Sequence, residues 1–486
     1  MNLVDSKGIW DGDLLDRKSE AIYLQRYIEN AFNMDKANSS SLVLNINSEW
    51  GSGKTWFLER LAKELQKNHS VIYFDSWAND FTKDALMSFV STVCKELETQ
   101  FDDELKIKGK VSLLKQTAYR FIKPSIPVLL SALVRHFVGV NLIQETDDQE
   151  PQDGVASIKD VAATLTGIAA SSAIESFHKE KDAVDSFKRT LIGLIECLKS
   201  PDTKQHLPIC IFIDELDRCR PTYAIELLES IKHLFNIEGI FFIIASDTKQ
   251  LAHSIKVVYG QDFNATGYLK RFFYSEYCLS SPDHSKITEF LFYGFNFGDK
   301  LFLPESINKS DGVKGVFSKI SYHFKLTVRE QEQGFSILKN CILVTEKKEI
   351  HAIPLFYLIF MRLKLESYYE DIKNNLNGST YKDIVKSNYS KGVLKSISFD
   401  TILVNDGSGS YSDTSIFDVM QFYLSIADGN RDSLRINFED PYLQYQEEIV
   451  SNLKKYYRNK DDKQIITTNN IGSYFDLLDQ AGRIIS

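Results

Sequence analysis

No two of the six cysteines (Cys94, Cys197, Cys210, Cys219, Cys278 and Cys341) stand in a CxxC pair or at metal-ligand spacing. That excludes a disulfide-stapled secreted scaffold and a zinc-ribbon type of site. It fits reduced, mostly buried thiols of a cytosolic protein. Met1–Asp5 have neither a charged n-region nor an apolar h-region, so no signal peptide is expected. Basic residues are in deficit, 57 Lys and Arg against 66 Asp and Glu, for a net charge of −9. Without a general basic field, nucleic acid is not an expected partner unless a local patch supplies one. Long hydrophobic runs are missing too: Pro124 to Val134 is uncharged for eleven residues and Val161 to Ile174 for fourteen. A membrane span needs about twenty. Two such helices packed together could still insert through their small residues, but a soluble helical hairpin is the simpler expectation. Internal repeats and low-complexity tracts are absent.

What is present begins at Leu42-Val43-Leu44-Asn45-Ile46, an apolar run of strand type. It leads into Ser48-Glu49-Trp50-Gly51-Ser52-Gly53-Lys54-Thr55, then Trp56 and an amphipathic stretch with Phe57, Leu58, Leu61, Ala62 and Leu65 on one face. Strand, glycine loop, helix is the context in which Gly-Lys-Thr marks a phosphate site. Glycines at 51 and 53 let backbone N–H groups curl around phosphate oxygens. Lys54 would reach the β- and γ-phosphates, and Thr55 would ligate Mg²⁺. Ser48 stands where the pattern has its first glycine, and serine adopts positive φ only at a cost, so the backbone there is an open point.

Ile209-Cys210-Ile211-Phe212-Ile213 is continuously apolar, as a strand buried on both faces must be, and ends in Asp214-Glu215-Leu216-Asp217-Arg218. Asp214 is placed to hold Mg²⁺ and Glu215 to polarise an attacking water. A further strand, Ile240 to Ala245, ends in Ser246-Asp247. In NTPases with a glutamate after the magnesium aspartate, such a strand lies between the two motif strands. Asp247 then either senses the γ-phosphate or water, or caps the helix from Thr248 to Val258.

Together these segments resemble the KAP family of P-loop NTPases. The family's Gly-x-Trp-Gly-Ser-Gly-Lys-Thr is matched here except at Ser48, and its Asp-[Asp/Glu]-Leu-Asp-Arg-Cys-x-Pro is matched by Asp214 to Pro221. Val71 to Trp77 is similar to its aromatic strand, and Asp13-Leu14-Leu15-Asp16-Arg17 to its Asp-x-Leu-Gly-Arg opening. Arg271 falls where the family has a basic residue after the third strand, and Arg329, in Leu326-Thr327-Val328-Arg329-Glu330, at the start of a lid helix. Arg218, Arg220 and Arg271 are candidate arginine fingers. Arg218 equally suits an ion pair with Asp217 or Glu215, Arg220 a structural role, and Arg329 a solvated helix position.

The expected fold is α/β: a three-layer P-loop NTPase domain over residues 1–345 with a mostly parallel sheet. A helical insertion at 109–181 separates the two nucleotide motifs, and a mainly helical region fills 346–486. Asn308-Lys309-Ser310-Asp311 matches the guanine-reading motif but follows no strand. With Asp-Glu-Leu-Asp in place of Asp-x-x-Gly, this favours ATP over GTP. His206 and His233 are isolated and expected to be structural. The catalytic set is Glu215, Lys54, Asp247, Arg329, Arg218 and Arg271; residues Ser48 to Trp56 bind nucleotide; Thr55 and Asp214 bind Mg²⁺. The resemblance implies a switch ATPase, in settings such as prokaryotic defence or signalling, with a protein partner or self-assembly. The alternative is a non-hydrolysing nucleotide-binding scaffold. The expected location is the cytoplasm, or the inner face of the cell membrane if the insertion enters it.

Overall fold

The computed structural model describes residues 8–34, 41–82, 84–101, 105–122, 182, 184–199, 206–234, 236–297, 300–308, 312–345, 350–374, 401–405, 411–415, 419–420, 422–423, 448–449, 451 and 472–481. Two compact units make up the chain, Met1–Leu279 and Ser280–Ser486.

The first unit is built on five parallel strands: β1 (Leu42–Asn47), β2 (His69–Asp75), β3 (His206–Asp214), β4 (Ile240–Ser246) and β5 (Ser275–Cys278). Their spatial order is β2-β3-β4-β1-β5, so β4 lies between the two motif strands as the Asp-Glu pair implies. Side chains of a strand point alternately to opposite faces, and here the alternation sorts them into two cores. Ile209, Ile211, Ile213, Phe242 and Ile244 join Phe74 and Phe89 on one face. Cys210, Phe212, Phe241, Ile243 and Ala245 join Leu44, Phe57 and Leu61 on the other. The first face is covered by helices Ala85–Gln100, Leu105–Ile122, Pro221–Leu234 and Thr248–Tyr259 together with helix 184–198, and the second by Arg17–Met34 and Lys54–Leu65. Helix, sheet, helix are the three layers of an α/β P-loop fold.

One buried polar residue interrupts β1. Asn45 accepts a hydrogen bond from the Ser246 hydroxyl (2.8 Å) and donates to Thr248 Oγ1 (2.9 Å) and Glu276 Oε1 (3.2 Å). It therefore stitches β1 to β5 and to the helix that follows β4.

The second unit gathers helices His284–Phe292, Gly312–His323, Val328–Val344, Ala352–Lys364, Glu366–Asn374 and Gly472–Ala481 around one phenylalanine-rich core. The helix carrying Arg329 starts with a capping box between Thr327 and Glu330. Helices His284–Phe292, Gly312–His323 and Val328–Val344 share that core with Ile353 to Phe360. Strands Thr401–Asn405 and Tyr411–Ser415 form an antiparallel hairpin in a region expected to be helical. The two insertion runs, 124–134 and 161–174, lie outside the described residues; among those described, no helix is long and apolar enough to cross a membrane.

Replacing Asn45 with alanine leaves the fully buried Ser246 hydroxyl without its acceptor. It should destabilise the first unit by about 1–3 kcal/mol, measured by urea denaturation.

Candidate functional site

β1 feeds a loop whose two glycines do what only glycine does cheaply. Gly51 (φ 80°) and Gly53 (φ 86°) are both left-handed, and Gly53 is the N-cap of helix Lys54–Leu65. Ser48 is not among the residues with positive φ, so the glycine that the pattern expects there is not required. Ser48 is instead tied in by its N–H to the Ser246 carbonyl (3.3 Å) and by its hydroxyl to Ser52. Glu49 and Trp50 form the exposed tip, and Trp56 stands on the helix beneath the guanidinium of Arg60. The Lys54 ammonium is folded back onto the loop, donating to the Ser48 carbonyl, with Asp217 Oδ2 at 4.0 Å. Burial pulls its pKa below the usual lysine value, and Asp217 is the strongest of the charges opposing that fall.

Asp214 ends β3 beside that helix. Its carboxylate accepts from the Tyr73 hydroxyl (2.8 Å) and the Glu215 N–H (2.8 Å), and the Thr55 hydroxyl is close enough to favour its ionised form. Burial raises its pKa, and these hydrogen bonds oppose the rise. Glu215 follows with a left-handed backbone, φ 58°. Its carboxylate pairs with Arg218 (2.6 Å), whose guanidinium lies 5.8 Å from the Trp77 ring centroid. Burial likewise pushes the Glu215 pKa up, and Arg218 is the largest effect holding it down.

Asp217 is the residue at which the loops meet. It is 6 % exposed, and its Oδ2 accepts from the Trp50 indole N–H (2.5 Å) and the Asp247 backbone N–H (2.9 Å). Asp247 caps helix Thr248–Tyr259, accepting from the N–H groups of Lys249 (3.1 Å) and Gln250 (3.2 Å). The capping role is thus realised, at a position adjoining Asp217.

Arg220 is fixed to the loop after β2: its N–H and Nε donate to Asp80, each at 2.9 Å, and Nη2 to the Asp80 and Thr82 carbonyls. That is a structural clamp. Arg271 is exposed beyond helix Ala265–Leu269, its guanidinium unpaired among the described residues. Arg329 is exposed on the first turn of its helix and belongs to the second unit. Asn308 closes a short helical turn, Glu305–Asn308, not a strand.

Sequence reasoning missed Tyr73 and the site role of Asp217. Tyr73 sits in an aromatic strand where every second residue resembles core. Only the pairing of β2 with β3, Tyr73 opposite Phe212, brings its hydroxyl to Asp214.

The sequence profile described as "KAP family P-loop domain" matches residues 24–296. Among curated proteins no match was found. Two solved structures align over most of the chain. The Aeropyrum pernix ORC2 protein, in ADPNP–ADP complexes, is 11% identical at TM-score 0.31, covering 98% of this chain and 98% of its own. Cdc6p from Pyrobaculum aerophilum is 12% identical at TM-score 0.32, covering 96% and 86%. Both scores are low, and neither structure informs what this chain binds.

Arg218→Ala removes the main charge opposing the burial of Glu215. The Glu215 titration should therefore move to still higher pH, read by NMR of carboxyl-labelled glutamate. A midpoint that stays put or falls would show the ion pair to be without electrostatic consequence.

Proposed function

The chain belongs to the KAP family of P-loop domains, and on that premise we propose that it binds Mg-ATP at the carboxyl ends of β1, β3 and β4 and hydrolyses it as a molecular switch. The observation that carries this proposal is the juxtaposition of the Thr55–Asp214 pair with Glu215 beside the Lys54 loop. Hard oxygen donors on adjacent elements fit Mg²⁺, which takes one or two protein ligands and completes its shell from phosphate and water. When bound, the ion neutralises phosphate charge.

The chain's own residues divide the remaining work. Backbone N–H groups around Gly51 and Gly53 and the positive end of helix Lys54–Leu65 cradle the phosphates. Lys54 exchanges the Ser48 carbonyl for β- and γ-phosphate oxygens. Glu215 orients and polarises water for attack on the γ-phosphate, and a pKa raised by burial makes it the better proton acceptor. ATP is preferred to GTP on the Asp-Glu-Leu-Asp sequence and the helical setting of Asn308. A protein partner or a second copy would read the nucleotide state, in the cytoplasm or at the inner face of the membrane. A role in prokaryotic defence or signalling rests on the family resemblance. One observation favours the rival, a non-hydrolysing scaffold: the Glu215 carboxylate is already neutralised by Arg218.

Two variants separate these readings. Lys54→Ala should abolish ATP binding, while Glu215→Gln should bind ATP and lose about a hundredfold in hydrolysis. Equal hydrolysis by Glu215→Gln and wild type would remove Glu215 from the mechanism. The base form of Glu215 is lost as pH falls through its raised pKa. The acidic limb of the wild-type rate profile should therefore lie above the ordinary glutamate range.

Tyr73→Phe deletes a hydrogen bond that favours ionised Asp214. It should raise the Mg²⁺ concentration needed for tight ATP binding by about tenfold, leaving metal-free nucleotide binding unchanged in calorimetric titrations.

A further inference from the structure

Asp217 and Trp50 are two residues that a generic P-loop site does not require, yet they are the ones through which the loops touch. They lie 167 positions apart in sequence and are joined by a hydrogen bond from the indole N–H to Oδ2. The same oxygen accepts the Asp247 N–H and faces the Lys54 ammonium at 4.0 Å. The Asp217 side chain is 2 % exposed and that of Lys54 10 %. A carboxylate so deeply buried is stable only while donors and an opposite charge compensate it. Here one oxygen draws its compensation from three elements: the tip of the P-loop, the loop lysine and the turn after β4.

We propose that Asp217 is a positioning residue of the nucleotide site, competing with phosphate for Lys54 and, through the same oxygen, tying the P-loop to the start of helix Thr248–Tyr259. The proposal rests on the nucleotide reading above and adds a regulatory contact to it. Phosphates arriving at the loop draw Lys54 away and bring negative charge toward Asp217. Asp217 then leans harder on its two N–H donors, from Trp50 and Asp247. Asp247 also caps helix Thr248–Tyr259 through its carboxylate, so its backbone and the first helical turn respond together. Nucleotide occupancy is thereby coupled to the end of β4.

The test uses opposite ends of one hydrogen bond. Asp217→Asn keeps a carbonyl acceptor for both N–H groups but removes the charge that opposes phosphate and holds Lys54. Trp50→Phe keeps the charge and removes one donor. Binding of ATP and ADP by the full chain, with Mg²⁺, is measured by calorimetry. Asp217→Asn should bind both nucleotides about three- to tenfold more tightly than wild type. Trp50→Phe, which leaves Asp217 freer to claim Lys54, should bind them more weakly. A purely structural clamp predicts weakening in both, and that result would overturn the proposal.

A second measurement needs no variant. Hydrogen exchange in wild type should change at residues 247–250 when ATP is added, and unchanged exchange there would also overturn it. Failure of wild type to bind ATP or ADP would instead sink the nucleotide reading itself. That outcome is distinct from normal wild-type binding with the wrong sign for Asp217→Asn.

Discussion

Burial of β3 and β4 on both faces is the constraint from which the site follows. A strand covered on two sides has room for charge only at its ends. In a parallel sheet those ends fall along one edge. Asp75 and Asp214 are paired in register at the ends of β2 and β3, and Ser246 and Asp247 close β4 beside the loop that leaves β1. Five carboxylates, Asp75, Asp214, Glu215, Asp217 and Asp247, thus lie at adjoining strand ends or in the turns that follow them. Lys54 and Arg218 are the cations paired with members of this group. The apolar core sets this arrangement before any chemistry is considered.

Crowding of that kind shows in proton affinities. Burial lifts Asp214 and Glu215 and lowers Lys54, each shift disfavouring the charged form. What opposes these shifts is local pairing: Thr55, Tyr73 and the Glu215 N–H on Asp214, Arg218 on Glu215, Asp217 near Lys54. A polyphosphate adds negative charge to a place already short of cations. In the proposed mechanism, the magnesium ion and the redirected lysine serve that deficit as much as they serve catalysis.

Sequence made the sheet legible because its strands are unbroken apolar runs and its loops carry chemically demanding residues. The place of β4 between the two motif strands followed from a single glutamate after Asp214. Glycine substitutions were harder to judge. Ser48 replaces a motif glycine at a position without positive φ, whereas Asp16, in the family's Asp-x-Leu-Gly-Arg position, does adopt φ 57°. Only the backbone distinguishes these cases. The reach of the second core was not legible either: Phe335, on the helix carrying Arg329, packs against Phe292 and Phe317, and Phe317 packs against Phe356 and Phe360. Asp217 could not be read from its neighbours: Arg218 takes Glu215, and the partners of Asp217 come from the P-loop and from β4.

Glu215 shows where the site is rigid and where it can yield. Its left-handed backbone is uncommon for a residue with a side chain and carries strain. The strain is held by several bonds at once. Its N–H donates to Asp214 Oδ1, while its carbonyl accepts from the Arg218 N–H at 3.1 Å and from Cys219 Sγ at 3.6 Å. Those bonds fix the Glu215 backbone at the end of β3. The opposing guanidinium is held by one ion pair and a ring contact on a side chain that is 31 % exposed. In the hydrolytic reading, the freedom in the Glu215–Arg218 pair therefore belongs to the arginine. Release of the base from its counter-ion becomes a matter of where Arg218 goes, and the accessible rim beside Trp77 governs it more than the buried end of β3.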